Sequence, residues 1–310
     1  MHGEPDISEL LLEPGPESHK YSRGVLGLRT GSTAYPGAAV LSAEAAWRAG
    51  VGLVRFAAQQ GDESPALGLP TPAAAVLASR PETVFALPGG GSPRAQRVDA
   101  WVIGCGTDPM LRSYLEREAL LALLAGRAPV VVDAGALGLL LEREPGAPAA
   151  PVIATPHARE FAELWHAAGL AGVPDLTSGA DRSTAASALA TRLGVAVLLK
   201  GSRTVVASPV GGAVTTAPAT PWLATAGTGD VLAGALGALI ATHAADRRIA
   251  GAPALDHGDL AGLGVAAAAL HDRAARIAAG LAAGSGTGGA PITALDVARA
   301  LPAAHRELRG

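Results

Sequence analysis

The sequence predicts an α/β fold in three layers, with a mostly parallel central sheet and helices on both faces. Three observations predict it. Short apolar segments alternate with segments of helical periodicity along the 310 residues, which is the order of βα units. Several strand segments are apolar without interruption, which is typical of strands covered on both faces. Hydrophobic residues make up 49% of the chain but aromatic residues only 3%, so Ala, Val and Leu must form the core.

The elements follow in order, each bounded by turn residues. Pro36 is placed as the first residue of a helix, where no N–H donor is needed. We predict strands at 25–28, 51–58, 99–103, 129–133, 152–154 and 195–199, short extended pieces at 76–78 and 84–87, and an antiparallel pair at 204–207 and 213–216. We predict helices at 36–49, 110–124, 137–141, 155–168, 182–193, from 229, 260–279 and 294–301.

The chain is predicted to contain one large domain, residues 20–302, between an N-terminal arm at 1–19 and a C-terminal tail at 303–310. The arm is acidic and without periodicity, so we expect it to be mobile or loosely draped. Residues 244–257, which are rich in Arg, Pro, Gly and Asp, are expected to form an insertion.

Composition excludes several classes of function. A net charge of −3 without a basic stripe gives no support to nucleic-acid binding. The longest apolar runs, 231–241 and 260–270, are shorter than the roughly 18 residues of a membrane span, so no membrane contact is expected. The acidic N-terminus lacks the order of a signal peptide. The single cysteine, Cys105, excludes a disulfide framework and suits a reducing cytoplasm.

The most informative stretch is 225–234, where a Gly/Thr turn leads directly into a long apolar helix. The N–H groups of Gly227, Thr228 and Gly229 would be unpaired at the positive end of that helix, which is a site for a phosphate. Asp230 lies in the same turn. Its carboxylate is either a helix-stabilising acid or a base directed at a group beside the phosphate, and the stretch alone leaves both open.

Other chemistry-bearing residues follow strands, and in a parallel sheet such positions converge at one edge. They are Gly104–Gly106, Asp133, Thr155–His157 and Lys200-Gly201. Lys200 is one of only two lysines among 24 basic residues, which favours a role for a compact ammonium that Arg could not fill. Alternatives stay open: the turn after Lys200 could be an ordinary strand connection, and Glu160 could be a helix cap or part of a Mg²⁺–phosphate network.

These motifs occur together in a recognisable order. They are Lys20-x-x-x-Gly24, Gly31-Ser32-x-x-Tyr35-x-Gly37-Ala38, Ala49-Gly50-Val51-Gly52-Leu53-Val54, Gly104-x-Gly106, Asp133-Ala134, Thr155-Pro156-His157-x-x-Glu160, Lys200-Gly201-x-x-Thr204 and Gly227-x-Gly229-Asp230-x-Leu232-x-Gly234. The chain, from about Lys20 to Leu301, resembles the ADP-dependent NAD(P)H-hydrate dehydratases of the ribokinase-like superfamily. That resemblance implies a ribokinase-like fold and repair of the (6S) epimer of hydrated NADH or NADPH, with ADP converted to AMP and phosphate.

The resemblance also implies residue roles. Ala38, Gly106, His157 and Asp230 would contact the hydrated dinucleotide. Asp230 would act as the catalytic base that allows the C6 hydroxyl to be phosphorylated, and the helix N-terminus would keep it ionised. The adenine nucleotide would be bound by Lys200, Gly201, Ser202, Arg203, Thr204 and Gly229, with Mg²⁺ and an indirect contribution from Glu160.

The resemblance further implies a homo-oligomer, with a tetramer suspected. A separate epimerase is expected, since residues 1–19 are too short for the epimerase domain that this family often carries. Three positions depart from the family pattern: Thr30, Cys105 and Gly135 stand where glycine, proline and an acid are usual.

Two other functions compete with this one. A small-molecule kinase of the same superfamily, acting on a vitamin precursor or a sugar, would share Gly227–Asp230 but would release a stable phosphorylated product. A non-catalytic nucleotide-binding protein would use Asp230 only as a first-turn acid. The Gly31–Ala38 loop and Thr155-Pro156-His157 favour the dehydratase.

Overall fold

The computed structural model describes residues 6–61, 68–86, 96–143, 149–172, 176, 178–282 and 288–310. Its centre is a nine-stranded sheet with the order β3-β2-β1-β4-β5-β6-β7-β8-β9. The strands are β1 (Val25–Arg29), β2 (Leu53–Phe56), β3 (Val84–Phe85), β4 (Ala100–Ile103), β5 (Val130–Val132), β6 (Val152–Ala154), β7 (Ala196–Leu199), β8 (Val205–Ala207) and β9 (Ala213–Thr215).

The seven strands β1 to β7 run parallel, and β8 and β9 add an antiparallel hairpin at one edge. Strands β5, β6 and β7 are buried along their whole length. Burial on both faces of the sheet therefore explains why their sequences are apolar without interruption. The predicted mostly parallel sheet and the antiparallel pair at its end are confirmed.

Helices cover both faces of the sheet, which confirms the three layers. They are α1 (Ile7–Leu10), α2 (Pro36–Arg48), α3 (Pro72–Ser79), α4 (Tyr114–Leu124), α5 (Ala158–Ala167), α6 (Gly179–Leu193), α7 (Thr228–Ala250), α8 (His257–Ala278) and α9 (Ala294–Arg309), with 3₁₀ helices at Ala134–Glu142 and Pro221–Leu223. The core on one face contains α2, α7, α8 and α9, and the core on the other contains α4, α5 and α6. Both cores are built largely from Ala, Val and Leu, as the composition predicts.

Helix α7 lies at the centre of the first face. A Cβ built on Gly234 would lie 2.3 Å from the carbonyl oxygen of Ser42 in α2, and one on Gly237 would lie 2.3 Å from Cγ2 of Val102 in β4. Two glycines therefore let α7 approach α2 and the sheet more closely than any side chain would allow. This packing holds the N-terminus of α7 at the edge of the sheet where β1 and β4 end.

The length and apolar character of α7 come from this central position. Among the described residues it is the helix long and apolar enough to cross a membrane by length and composition, with a mean hydropathy of 1.2 in its best 18-residue window. However, 72% of that window is buried inside the protein.

The structure corrects two local predictions. Residues 76–78 are helical and not extended, because Thr71 caps α3 by accepting a hydrogen bond from the N–H of Ala74, and Pro72 begins the helix. Residues 244–250 are not an insertion but the last turns of α7. There Arg248 binds the buried Asp99 (Nε–Oδ1 3.0 Å), and Arg247 binds Asp259 of α8 (2.9 Å).

The predicted arm and tail are also more ordered than expected. Leu11 is fully buried in the core, and the carbonyl oxygen of Leu10 lies 3.0 Å from Nε2 of His243. Helix α9 continues to Arg309, whose guanidinium donates to the carbonyl oxygen of Leu11 (2.6 Å). Apolar packing and this bond attach residues near the two ends of the chain to each other. Residue 87, the last of the extended piece predicted at 84–87, lies outside the described residues.

We expect Gly234→Ala to destabilise the protein, because the new methyl group would meet the backbone of Ser42 rather than a movable side chain. Overpacking of this kind costs about 1–3 kcal/mol. Gly262→Ala is the matched control: it is also an in-helix glycine, nothing lies within 4 Å of its built Cβ, and alanine favours a helix. Thermal unfolding should show a lower Tm for Gly234→Ala and an equal or higher Tm for Gly262→Ala. Equal Tm values for both variants would contradict this account of helix packing.

Candidate active site

The predicted site residues come together where the parallel strands end. Gly104–Gly106 follow β4, Asp133 follows β5, His157 begins α5 after β6, and Lys200 follows β7. The first turn of α7 closes the group, since a Cβ built on Gly229 would lie 3.5 Å from Nζ of Lys200. The chain thus forms a site at the edge of the sheet where doubly wound folds bind ligands.

A left-handed turn begins α7. Gly227 is its N-cap with a φ of 87°, and a Cβ there would lie 2.6 Å from Leu41, so glycine is required. The N–H groups of Gly227, Gly229 and Asp230 have no acceptor within the described part of the chain. The prediction for Thr228 is corrected: its N–H donates to the carbonyl oxygen of Thr225 (3.3 Å), which closes the turn and removes it from the open donors.

A buried ion pair lies beside this turn. Nζ of Lys200 is 2.8 Å from Oδ1 of Asp133, and the hydroxyl of Thr155 donates to the same oxygen (2.7 Å). The thiol of Cys105 donates to Oδ2 of Asp133 (3.4 Å). Burial and the charges of Asp133 and Asp230 raise the pKa of Cys105 well above its usual value, so it is a neutral donor and not a thiolate. Asp133 is therefore held by three side chains.

Lys200 remains an ammonium in this setting. Burial alone would lower its pKa, but the charges of Asp133 and Glu160 outweigh burial and raise it. The carboxylate of Glu160 lies 3.9 Å from Nζ of Lys200.

The backbone is strained directly after Asp133. Ala134 has a φ of 44°, in the left-handed region that residues with a side chain rarely adopt. A Cβ on the next residue, Gly135, would lie 2.2 Å from the carbonyl oxygen of Thr107, so the departure from an acid at this position fits a tight contact between two loops. Strain of this kind is found where neighbouring structure fixes the direction of a functional side chain.

Asp230 faces this ion pair. Its carboxylate oxygen, a carboxylate oxygen of Asp133 and the thiol of Cys105 lie within 4.8 Å of one another. Burial, and then the negative charge of Asp133, raise the pKa of Asp230 to about 6, while Lys200 opposes that rise. The sequence predicts that the helix N-terminus keeps Asp230 ionised. Burial opposes this effect, because it favours the neutral carboxylic acid. At neutral pH the carboxylate is still mostly ionised, with a proton affinity close to that of an effective general base.

His157 and Glu160 form a capping box at the start of α5. Nδ1 of His157 accepts from the N–H of Glu160 (3.2 Å), and Oε2 of Glu160 accepts from the N–H of His157 (2.8 Å). The capping alternative for Glu160 is therefore what the structure shows. A contribution of Glu160 to a metal network stays a prediction, and it would act through Lys200.

The carboxylates provide a sparse set of ligands for Mg²⁺. Asp133 is already bonded to Lys200, Thr155 and Cys105, and a neutral thiol is a poor ligand for this ion. Asp230 is the remaining carboxylate. One or two carboxylates with substrate phosphates are the usual way in which Mg²⁺ is bound, so the residues fit an ion that arrives on a nucleotide.

Two groups of predicted site residues flank Asp230: its chain neighbour Gly229 lines a large cavity, and Cys105, whose thiol lies within 4.8 Å of its carboxylate, directly precedes Gly106. A cavity of about 910 Å³ is lined by the predicted nucleotide residues Lys200, Gly201, Ser202, Thr204 and Gly229, and also by His157. Arg203 does not line it; its guanidinium lies 3.5 Å from the carbonyl oxygen of Thr216. Ala38 and Gly106 lie together in a second region, since a Cβ on Gly106 would lie 2.3 Å from Cβ of Ala38. His157, predicted to bind the dinucleotide, belongs to the wall of the first region.

The far wall of the cavity was missed by sequence reasoning. It is formed by the segment before α7 and by one face of α8, including Thr220, Leu223, Val265, Ala268, His271 and Asp272. His271 is buried, and burial lowers its pKa to about 4, so it is neutral at neutral pH. The alanine-rich sequence of α8 looked like that of a plain core helix. The signal that the sequence offers for a cavity-facing side is the pair His271-Asp272 within this alanine-rich segment.

Comparison with known proteins agrees with this arrangement. Residues 26–287 match the family model described as NAD(P)H-hydrate dehydratase. An ADP-dependent (S)-NAD(P)H-hydrate dehydratase of Neisseria meningitidis is 35% identical over 278 residues, covering 86% of this chain and 84% of that protein. A bifunctional NAD(P)H-hydrate repair enzyme of Mycobacterium tuberculosis is 44% identical over 243 residues, covering 76% of this chain but 45% of that protein. The chain thus spans about half the length of the bifunctional relatives it matches.

Solved structures show the same fold. The ADP/ATP-dependent NAD(P)H-hydrate dehydratase of Bacillus subtilis, co-crystallised with ATP and Mg²⁺, aligns with a TM-score of 0.72 and 26% identity over 97% of this chain and 96% of that one. A ribokinase of Cryptococcus neoformans in complex with ADP aligns with a TM-score of 0.52 and 13% identity over 90% of this chain and 98% of that one, which shows the ribokinase-like fold alone. The family match over most of the chain shows that this protein belongs to the NAD(P)H-hydrate dehydratase family.

Proposed function

We propose that the protein dehydrates (6S)-hydrated NADH and NADPH back to NADH and NADPH, with ADP converted to AMP and phosphate. The observation that carries the proposal is the position of Asp230. It lies in the first turn of α7 with the open N–H groups, directly after Gly229, which lines the large cavity beside Lys200, and its carboxylate lies within 4.8 Å of the thiol of Cys105, the residue before Gly106. A base at such a junction can act on a hydroxyl in one region while a phosphate lies in the other.

The large cavity is the proposed nucleotide site. Lys200 and Gly229 line it, the open N–H groups of Gly227, Gly229 and Asp230 belong to the same helix turn and would attract phosphates, and apolar residues of α8 supply a surface for the base. The name of the Neisseria relative specifies ADP, and that of the Bacillus structure specifies ADP or ATP. The proposed dinucleotide site is the Ala38–Gly106 region, and His157 lies in the wall of the nucleotide cavity.

The reaction follows from these positions. Asp230 removes the proton of the C6 hydroxyl as that oxygen attacks the β-phosphorus of ADP, and AMP leaves. The open N–H groups stabilise the charge on the transferring phosphoryl group. The lone pair of the ring nitrogen then expels phosphate from C6, and loss of a proton from C5 restores the dihydronicotinamide ring. The elements of water thus leave separately. The C6 oxygen departs on phosphate, and the two hydrogens depart as protons, one from the hydroxyl and one from C5.

Mg²⁺ bound with the nucleotide would neutralise phosphate charge during this transfer. One carboxylate oxygen of Asp230 would be the direct protein ligand for the ion, which leaves the other oxygen for the hydroxyl proton, whereas Asp133 orients Lys200 toward the phosphates. Glu160 would contribute only through its charge near Lys200.

We also propose that the protein forms a homo-oligomer, specifically a tetramer, and acts in the cytoplasm beside an epimerase that supplies the (6S) epimer. Exposed apolar residues Met110, Leu111, Tyr114 and Leu115 at the start of α4 support self-association. Several relatives are named bifunctional NAD(P)H-hydrate repair enzymes, which supports a second repair activity beside the dehydration.

The function is tested by incubating the protein with hydrated NADH and either ADP or ATP, and following absorbance at the maximum of the reduced nicotinamide. Recovery of that absorbance with release of AMP from ADP is the expected result. A stable phosphorylated product of another compound would favour a kinase, and nucleotide binding without turnover would favour a binding protein.

Asp230→Asn should abolish most turnover, because the amide cannot accept the hydroxyl proton. We expect a loss of about 10²–10⁴-fold in kcat with nucleotide binding retained. Asp246→Asn, which changes an exposed acid on the same helix, is the control and should keep full activity. Full activity of Asp230→Asn would remove Asp230 from its role as the base.

The pH dependence should report the same residue. The base must be ionised, so kcat/KM should be constant above pH 6 and fall about tenfold per unit below it, since the pKa of Asp230 is about 6. Lys200 lowers that pKa, so Lys200→Met should move the acid limb to higher pH. Lys20→Met, at the other and exposed lysine, should leave the limb in place. If Lys200→Met leaves the acid limb in place, the limb reports the titration of a group other than Asp230.

A further inference from the structure

Arg182 lies beneath the proposed nucleotide loop without contacting the cavity. It belongs to the first turn of α6, and its side chain is 9% exposed. The guanidinium donates only to carbonyl oxygens: those of Leu176 (3.1 Å), Leu199 (3.4 Å), Lys200 (3.1 Å) and Arg203 (3.4 Å). Within the described part of the chain no carboxylate pairs with it. A buried guanidinium keeps its charge, so this is a positive group held against the backbone.

The bonded carbonyl group of Lys200 determines where the N–H group of Gly201 points. In a trans peptide the C=O of one residue and the N–H of the next point in opposite directions. Because the carbonyl of Lys200 faces Arg182, the N–H of Gly201 faces away from it. The N–H groups of Lys200 and Thr204 already donate, to Pro156 and to the hydroxyl of Thr216.

The three N–H groups between them are free. In the described contacts those of Gly201, Ser202 and Arg203 have no acceptor, and Gly201 and Ser202 line the cavity. Successive free N–H groups in a turn form a concave site for an anion. The guanidinium lies behind this turn, on the side opposite the open N–H of Gly201.

The loop and the guanidinium are in close contact. A Cβ built on Gly201 would lie 2.5 Å from Nη2 of Arg182. Glycine at this position is therefore needed for Arg182 to reach the carbonyl groups, and the two residues form one unit.

We propose that Arg182 is a positioning residue for the phosphates of the nucleotide. By binding the carbonyl oxygen of Lys200 it directs the N–H group of Gly201 toward the phosphates, by binding that of Arg203 it holds the far end of the same turn, and its charge reinforces the site from behind. This proposal rests on the nucleotide site proposed above. Loss of Arg182 should therefore weaken the binding of ADP but not that of adenosine, because adenosine carries no phosphate to occupy an anion site.

The test is equilibrium titration of the wild-type protein and Arg182→Gln with ADP and with adenosine. We expect Arg182→Gln to bind ADP about tenfold more weakly, or worse, since hydrogen bonds of charged groups are lost, and to bind adenosine unchanged. Arg192→Gln, an exposed arginine on the same helix, is the control and should match wild type for both ligands.

The outcomes separate the two proposals. If the wild-type protein binds no ADP, that result would contradict the proposed nucleotide site itself. Wild-type protein that binds ADP, with Arg182→Gln binding it equally well, would overturn the role of Arg182 alone. An equal loss for ADP and adenosine would show a general structural role and would also overturn it.

A second variant covers the case in which Arg182→Gln does not fold. Gly201→Ala should displace the guanidinium and weaken ADP binding in the wild-type background, while adenosine binding stays unchanged. In the background Arg182→Met, with no guanidinium to displace, the same alanine should cost much less ADP affinity, so the double-mutant cycle shows coupling. Additive losses, or no loss on Gly201→Ala alone, would contradict the proposal.

Discussion

The site depends on the buried ion pair between Lys200 and Asp133, 2.8 Å apart across the ends of β7 and β5. Removing two charges from water is costly, and such a pair persists only where further hydrogen bonds satisfy it. Thr155, directly after the intervening strand β6, and Cys105, in the turn after β4, supply those bonds. Four adjacent strands of the sheet are thereby linked through one carboxylate. The pair adds little to stability by itself, but loss of one partner would leave the other charged and buried.

The same pair sets the chemistry of Asp230. A carboxylate at a helix N-terminus would ordinarily titrate low, because the helix end favours its charge. Burial and the neighbouring Asp133 act in the opposite direction, and Lys200 limits their effect, so the pKa is about 6. The balance leaves Asp230 ionised at neutral pH yet basic enough to accept a proton. The strained backbone at Ala134 fits this arrangement, since a strained φ costs roughly 1–3 kcal/mol and persists only where the surroundings impose it.

Much of the fold follows from sequence pattern. Continuous apolar strands such as β7, the Pro at the start of α2 and the glycines flanking α7 are local signals with direct physical causes, and each predicts its element. The errors share another cause. Residues 76–78 carry the apolar side chains of either a strand or a helix, and only the cap at Thr71 decides between them. Residues 244–250 look polar enough for a loop, but tertiary partners, Asp99 and Asp259, stabilise them as helix.

By itself the sequence determined that residues ending neighbouring strands would converge, and it named Asp230, Lys200 and Asp133 among them, because parallel strands all end at one edge. Only the tertiary structure decided how those groups interact. It paired Lys200 with Asp133, gave Thr228 a role in the turn, placed Arg203 outside the cavity and added the wall from α8. Distances between residues far apart in the chain, and the burial that shifts their pKa values, are properties of packing that no local pattern contains.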